Sequence, residues 1–342
     1  MKALLYRVTG GTDVLEYVDV EDPTPGPDDV IVHVAATALN QLDIVQRAGY
    51  FTMPGNTLPH IAGMDVVGTI VEIGTNVSAD RIGERVVVNP SLAGVADGSK
   101  LAGMGDLRGD LGVIGATVAG GYAERCLVPQ THAHEIPDAM SWDDAVCFPS
   151  SWVTAWHALI DVGQLHAGET IMIHAAGSGL GVAAVQLAKH LGATVLATAG
   201  TDEKCAQAQS LGADFVLNNR TGDVTAWAYA STGGVDMVFD FVGPALWDAS
   251  FFALRHRGRL VCCGNTTGDA ASIPSLGFLY SKGIRILGSD AYTSAEFAAA
   301  WATYQAGQFR AVVDSVFALA DGAHAQDKMS RSDLFGKILL RP

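Results

Sequence analysis

The sequence predicts an α/β protein of two domains, one built of short β-strands and one a doubly wound parallel sheet. Three observations carry that expectation. At 342 residues the chain exceeds the roughly 250–300 residues beyond which a single core usually divides. Its front third alternates or runs β-branched at residues 4–8, 30–37, 66–73 and 85–88, between Pro/Gly clusters such as the Asp-Pro-Thr-Pro-Gly-Pro of residues 22–27. After about residue 170, strand-like and helix-like segments alternate, the pattern of a parallel sheet with crossover helices.

The later strands are expected at 170–176, 194–199, 215–217, 235–242, 260–263 and 284–288, with helices notably at 179–191 and 202–211. Residues 141–159 read as a helix, opening Ser141-Trp-Asp-Asp144 with a cap and acids in its first turn. Residues 91–121 are glycine-rich and weakly periodic, a long loop. A helix is expected at 294–307, and the strand 337–341 is expected to return to the first domain.

Hydrophobic residues at 49% and charged residues at 17% give a balance able to bury a large core. No apolar run approaches the ~20 residues of a membrane span, and residues 1–13 lack the apolar core of a signal peptide. A cytoplasmic location and no membrane partner are expected. Five cysteines (126, 147, 205, 262 and 263) with no CxxC pair suit reduced thiols. A formal charge of −15, from 36 acidic and 21 basic residues, disfavours nucleic-acid binding. The expected partners are a small-molecule substrate and a second copy, in a homodimer.

The strongest local signal is an apolar strand, a tight turn Ala176-Gly-Ser-Gly-Leu-Gly181, then a helix with small residues facing the sheet. Backbone N–H groups at such a helix start hold a pyrophosphate. Ala176 and Ser178 stand in the first two glycine places of G-x-G-x-x-G and Gly181 keeps the third. Ala176, Gly177, Ser178, Gly179, Leu180 and Gly181 are therefore the expected pyrophosphate cradle.

This turn with Gln186-Leu-Ala-Lys189, together with Leu211-Gly-Ala-Asp214, Asp240-Phe-Val-Gly243, Asn40-Gln-Leu-Asp43 and Gly336-Lys-Ile-Leu-Leu340, resembles the medium-chain dehydrogenase/reductase superfamily. Within it the chain is similar to the zinc-independent quinone oxidoreductases. The resemblance covers nearly the whole length. It implies a GroES-like catalytic domain of residues 1–130 and 292–342, with a Rossmann cofactor domain of residues 131–291 inserted. It also implies that Thr154, Asn219, Phe241, Val242, Gly264 and Asn265 lie at the cofactor. A turn is the competing reading for several of these.

Zinc-dependent relatives bind their catalytic metal through a Cys-x-x-Asp, a Gly-His-Glu and a third Cys or Asp. The matching places here hold Asn40, Met64 and Ser150, none of them a good zinc ligand. Residues 91–121 contain no cysteine for a structural zinc. The pair His132-x-His134 reads as a solvated turn. No metal is expected.

Without a Lewis acid an alkoxide is poorly stabilised, so alcohol oxidation is disfavoured. Hydride delivery to a quinone or an α,β-unsaturated alkene needs only hydrogen-bond donors and a proton. Asn40 can donate, Asp43 can orient it or a water, and Tyr50 can gate the site or supply a proton; Asn40 and Asp43 can equally cap a turn, and Tyr50 can be packing. Reduction of an enoyl thioester or a haloacrylate, or an idle relative with a structural or RNA-binding role, are the alternatives. NADPH is expected over NADH, because the strand 194–199 ends without an acid. Thr201 and Lys204 can then meet the 2′-phosphate, unless Asp202 is the ribose acceptor.

Overall fold

The computed structural model describes residues 1–92, 100–101, 105–106, 112–307 and 309–342. These divide into two compact units, Met1–Ser150 with Thr293–Pro342, and Ser151–Tyr292. The sequence predicts the boundary at residue 130. Residues 131–150 instead belong to the first unit, because Ala133–Glu135 pairs with Arg85–Val88. The helix Ser294–Ala306 adds to this, donating from Trp301 Nε1 to Glu135 O and from Tyr304 Oη to Asp144 O.

In the first unit the ten-residue strand Asp29–Ala38 is the spine of a seven-stranded sheet. Across the sheet run Ala133–Glu135, Arg85–Val88, Asp65–Ile73, Asp29–Ala38, Lys337–Arg341 and Val313–Ala318, with Arg125–Pro129 also pairing the spine. Period-2 alternation turns Val30, Val32 and Val34 into one core with Val66, Ile70, Val86 and Val88. The last strand returns as expected, antiparallel to the spine through Leu339↔Ala38. A second sheet joins Leu15–Asp19, Lys2–Tyr6 and His60–Ile61.

The long loop expected over 91–121 falls partly outside the described residues, at 93–99, 102–104 and 107–111. At its flanks Ser91 bridges Val113 and Ile114 bridges Val118. The solvated turn expected at His132 and His134 is corrected. His132 is 3% exposed, and the His134 ring lies 4.8 Å from Phe297, since this segment enters a strand. Burial holds the His134 imidazole down at about 4, so it stays neutral. The single helix expected over 141–159 is three pieces, Trp142–Val146, Pro149–Trp156 and a π turn His157–Val162. Pro149 has no N–H to continue the first helix and begins the second.

In the second unit six parallel strands run in the order Phe215–Asn218, Thr194–Ala199, Thr170–Ile173, Val235–Asp240, Leu254–Cys262, Arg285–Gly288. This is the doubly wound order, third-second-first-fourth-fifth-sixth. Met172 pairs with Leu196 on one side and Val238 on the other, buried with Phe251 and Leu260. The order reverses between the first and fourth strands, and ligands of such sheets bind outside the carboxyl ends there. Among the described residues no helix is long and apolar enough to cross a membrane.

Candidate active site

In the first unit the spine strand ends at Ala38 and the chain starts the helix Gln41–Arg47 with Asn40 in extended conformation. The Asp43 carboxylate accepts the Asn40 backbone N–H at 2.8 Å and the Tyr122 hydroxyl at 2.8 Å. The sequence allows either a cap or a catalytic pair here, and the structure forms the cap. Asp43 is 2% exposed, so it can act on a substrate only through Asn40 or Tyr122.

The Asn40 side chain points the other way, into a buried charge pair. Its Oδ1 accepts from Lys337 Nζ at 2.8 Å, and its Nδ2 donates to Asp65 Oδ2 at 3.0 Å. An ammonium has no acceptor, so the amide can face it only by its oxygen. Lys337 also donates to Asp65 Oδ2 at 2.6 Å and to Leu39 O at 3.0 Å, which uses its three hydrogens. Asp65 Oδ1 accepts Ser150 N–H at 2.9 Å and the Ser150 hydroxyl, placing a carboxylate at the start of the helix Pro149–Trp156. Lys337 and Asp65 are 5% and 0% exposed. Gly63, two residues before Asp65, has φ +101, and a Cβ there would lie 2.4 Å from the Tyr122 ring. Only glycine permits that approach.

Burial pushes Asp43 up from its ordinary 3.8 to about 6, against the Asn40 and Tyr122 hydrogen bonds that pull it down. The nearby Asp65 charge adds to the rise and Lys337 opposes it. The structure thus joins Asn40, Asp43 and Ser150 in one cluster. Tyr50 is left 86% exposed on the surface. Sequence reasoning missed Asp65, Tyr122 and Lys337. The available signal was a lysine opening the strand just before the apolar run Ile338–Leu340, which once buried requires a carboxylate.

In the second unit the first strand stops at Ile173, and Ala175 takes φ +46 to start the turn. Ser178 caps the helix Gly179–His190, its hydroxyl oxygen accepting Gly181 N–H at 3.0 Å while donating to Ala175 O at 2.9 Å. A Cβ on Gly181 would lie 2.3 Å from Ala175 O, so the third glycine is obligatory for this packing. Gly179 and Leu180 occupy the first helical positions, whose N–H groups have no partner within a helix.

Beside this turn a one-way hydrogen-bond chain links three strand ends. The Ser250 hydroxyl donates to Asp240 Oδ2 at 2.6 Å, so its oxygen accepts from His174 Nε2 at 2.9 Å. Nδ1 of that neutral imidazole then accepts from Thr198 Oγ1 at 2.7 Å. Burial pushes His174 below its ordinary value, which keeps the chain in this sense. Asp240 Oδ1 accepts Val242 N–H at 2.8 Å and Gly243 N–H at 2.9 Å, fixing the loop that carries Phe241 and Val242. The Gly264 segment packs on Phe241, and Asn265 bonds Asp269 at 2.8 Å.

Of the residues expected at the cofactor, Ala176, Gly177, Ser178, Thr201, Asn219, Phe241, Val242, Gly264 and Asn265 follow strand carboxyl ends, Gly179, Leu180 and Gly181 open the helix Gly179–His190, and Lys204 lies in the helix Asp202–Ser210. Thr154 lies in the helix Pro149–Trp156. Thr201 caps the helix Asp202–Ser210, accepting Lys204 N–H at 3.2 Å, and Asn219 N–H donates to Ala199 O at 3.0 Å.

Residues 26–138 match the family model of the alcohol dehydrogenase GroES-like domain, and residues 179–306 that of zinc-binding dehydrogenases. A quinone oxidoreductase of Pseudomonas aeruginosa is 28% identical over 100% of this chain and 99% of its own length. An acryloyl-coenzyme A reductase of Sulfurisphaera tokodaii is 28% identical over 100% of both chains. Among solved structures, an NAD-dependent alcohol dehydrogenase has a TM-score of 0.91 at 32% identity, covering 100% of both chains. Escherichia coli quinone oxidoreductase complexed with NADPH has a TM-score of 0.84 at 25% identity, again over 100% of both.

Two outcomes follow from this geometry. Lys337→Met leaves the Asp65 carboxylate buried without its cation and is expected to cost about 3–5 kcal/mol in denaturant unfolding. A loss under 1 kcal/mol would show that the pair is dispensable. Asp43 contributes a pH dependence of definite sign. Its folded value of about 6 lies above the ordinary 3.8, so the folded state binds the proton first as pH falls. This group therefore adds stability as pH drops from about 6 toward 4, by at most ~1.4 kcal/mol per pH unit. In Asp43→Asn that component should vanish, read as the difference between the two proteins' unfolding curves across the window.

Proposed function

The chain belongs to the medium-chain dehydrogenase/reductase superfamily, in its quinone oxidoreductase-like family, and is an oxidoreductase; on that premise we propose that it reduces quinones or other activated, α,β-unsaturated alkenes with NADPH and without a catalytic zinc. One observation carries this reading, the set of donors around Asp65. Zinc binds thiolate, imidazole or carboxylate in a tetrahedral set. The places of the metal ligands hold an amide, a thioether and a hydroxyl, and the amide and hydroxyl are spent on Asp65 and Lys337. Both oxygens of Asp65 accept protein donors, and the Lys337 ammonium touching Asn40 repels a divalent cation. These residues do not fit zinc.

The bound nicotinamide would supply a hydride. The chain's own part is to hold it and to stabilise charge on the acceptor oxygen. Gly179 and Leu180 N–H groups suit the pyrophosphate. Asn40 Nδ2 carries two hydrogens. One goes to Asp65, and the other makes only a 3.4 Å contact to Ala38 O. That second hydrogen is the donor we assign to the substrate oxygen, strengthened because Lys337 polarises the amide from its oxygen side. Tyr50, exposed beside the turn at Gly49 (φ +80), suits a gate better than a proton donor.

Enoyl thioesters belong to the same acceptor class, and the likeness to an acryloyl-coenzyme A reductase supports them. Alcohol oxidation is the competing reading, favoured by the likeness to an alcohol dehydrogenase and opposed by the donor set. We also propose a cytoplasmic homodimer acting on small molecules. The open edge strand Arg285–Gly288, near exposed Leu276 and Tyr280, supports the second copy.

Purified protein is expected to oxidise NADPH with quinones, enones or enoyl thioesters, to oxidise ethanol barely, and to keep its activity in a strong chelator. Stoichiometric zinc whose removal abolishes activity would refute the reading. Asn40→Ala should lower kcat about tenfold or more with a smaller change in KM, if its donor acts mainly in the transition state. An unchanged kcat would remove Asn40 from that role and leave the reaction class standing.

A further inference from the structure

We infer that Arg220, rather than Lys204, gives this protein its selectivity for a dinucleotide carrying a 2′-phosphate. The inference rests on the NADPH reading above and names the residue responsible for it. The strand Thr194–Ala199 is followed by Gly200 and Thr201, so its last position carries no acid, and the first acid after it, Asp202, opens the next helix. In the parallel register Ala199 lies opposite Asn218, and the Asn219 N–H to Ala199 O bond sets the next residue, Arg220, beside Gly200.

A Cβ built on Gly200 would stand 3.2 Å from Arg220 Nε, 3.4 Å from Cζ and 3.5 Å from Nη2. Three nearly equal distances mean that the flat face of the guanidinium lies against the glycine, which leaves its N–H edges outward. Among the described residues no carboxylate or carbonyl accepts from that side chain; only its backbone N–H is bonded, to Asn218 Oδ1 at 3.1 Å. The acid that could have neutralised it, Asp202, accepts instead from Asn218 Nδ2 at 2.8 Å. Thr201, with its oxygen capping the helix, keeps its hydroxyl hydrogen for an anion.

A planar fork with free N–H groups matches a phosphomonoester dianion by two parallel hydrogen bonds, which a lysine ammonium cannot copy. Glycine at position 200 is part of the device. A Cβ there would crowd the guanidinium, which would have to give by a few tenths of an ångström.

The test uses the whole purified protein and reads binding rather than turnover. Dissociation constants are measured by calorimetry for 2′,5′-ADP and 5′-AMP, and by fluorescence for NADPH and NADH. Wild type should favour the 2′-phosphate in both pairs, and less so at high salt. Arg220→Ala should weaken 2′,5′-ADP and NADPH about tenfold or more, with 5′-AMP and NADH within about twofold. Arg220→Lys should recover part of the loss, and Lys204→Ala should cost less than Arg220→Ala. Equal weakening of both ligands of a pair, or loss of preference in Lys204→Ala but not in Arg220→Ala, overturns the assignment while the NADPH reading stands. A wild type that binds 5′-AMP and NADH as tightly as their phosphorylated counterparts overturns the NADPH reading itself, and Arg220's role with it.

Discussion

The first unit turns on a single ion pair, Lys337 with Asp65, both withdrawn from water. A lone ammonium or carboxylate in that position would cost several kcal/mol, so neither tolerates a fold that separates them. The pair ties together the end of Asp29–Ala38, the start of Asp65–Ile73, the start of Lys337–Arg341 and the first turn of Pro149–Trp156. It also sets the sheet register. A slip of one residue in either strand would carry a charge to the opposite face and strand its partner. The Asn40 amide inherits its orientation from this pair, since it meets a cation with its oxygen and an anion with its nitrogen.

The second unit meets a similar problem without a cation. Asp240 is fully buried at a strand end, and its carboxylate is balanced by one hydroxyl and two backbone N–H groups. Those N–H groups precede the helix Pro244–Phe252, whose positive N-terminal end favours the charge further. The run Thr198–His174–Ser250–Asp240 has one consistent donor direction. A neutral His174 therefore holds neighbouring strand ends in a fixed relation, at the edge where a doubly wound sheet binds its ligand. In both units a buried carboxylate anchors the loops, and what differs is the charge beside it.

That difference bears on the chemistry each unit can perform. Around Asp65 in the first unit the cation is fixed to the protein and saturated by its own acceptors, next to an amide with one hydrogen nearly unused. The second has a helix start capped by Ser178 and the Arg220 guanidinium lying against Gly200, just past the end of Thr194–Ala199. We propose the first set for an oxyanion and the second for phosphates.

Much of this was legible in the sequence, because it depends on short-range spacing. Period-2 runs marked the strands, the Ala176–Gly181 turn marked a helix start after a strand, and the Asn40-x-x-Asp43 spacing reflects a helix's first turn, where capping operates. The spacing alone could not decide between a cap and a catalyst. Tertiary structure decided who neutralises whom. Lys337 and Asp65 are 272 positions apart, and Ser150 and Asp65 are 85 apart. Arg220 reaches Gly200 only through the pairing of two strands. Residues 131–150 joined the first unit because Arg85–Val88 offered Ala133–Glu135 an open edge. Local sequence determines which segments become strands and helices, since backbone geometry and caps act over a few residues. The partner of a buried charge is set by which strands meet, and that is a property of the assembled sheet.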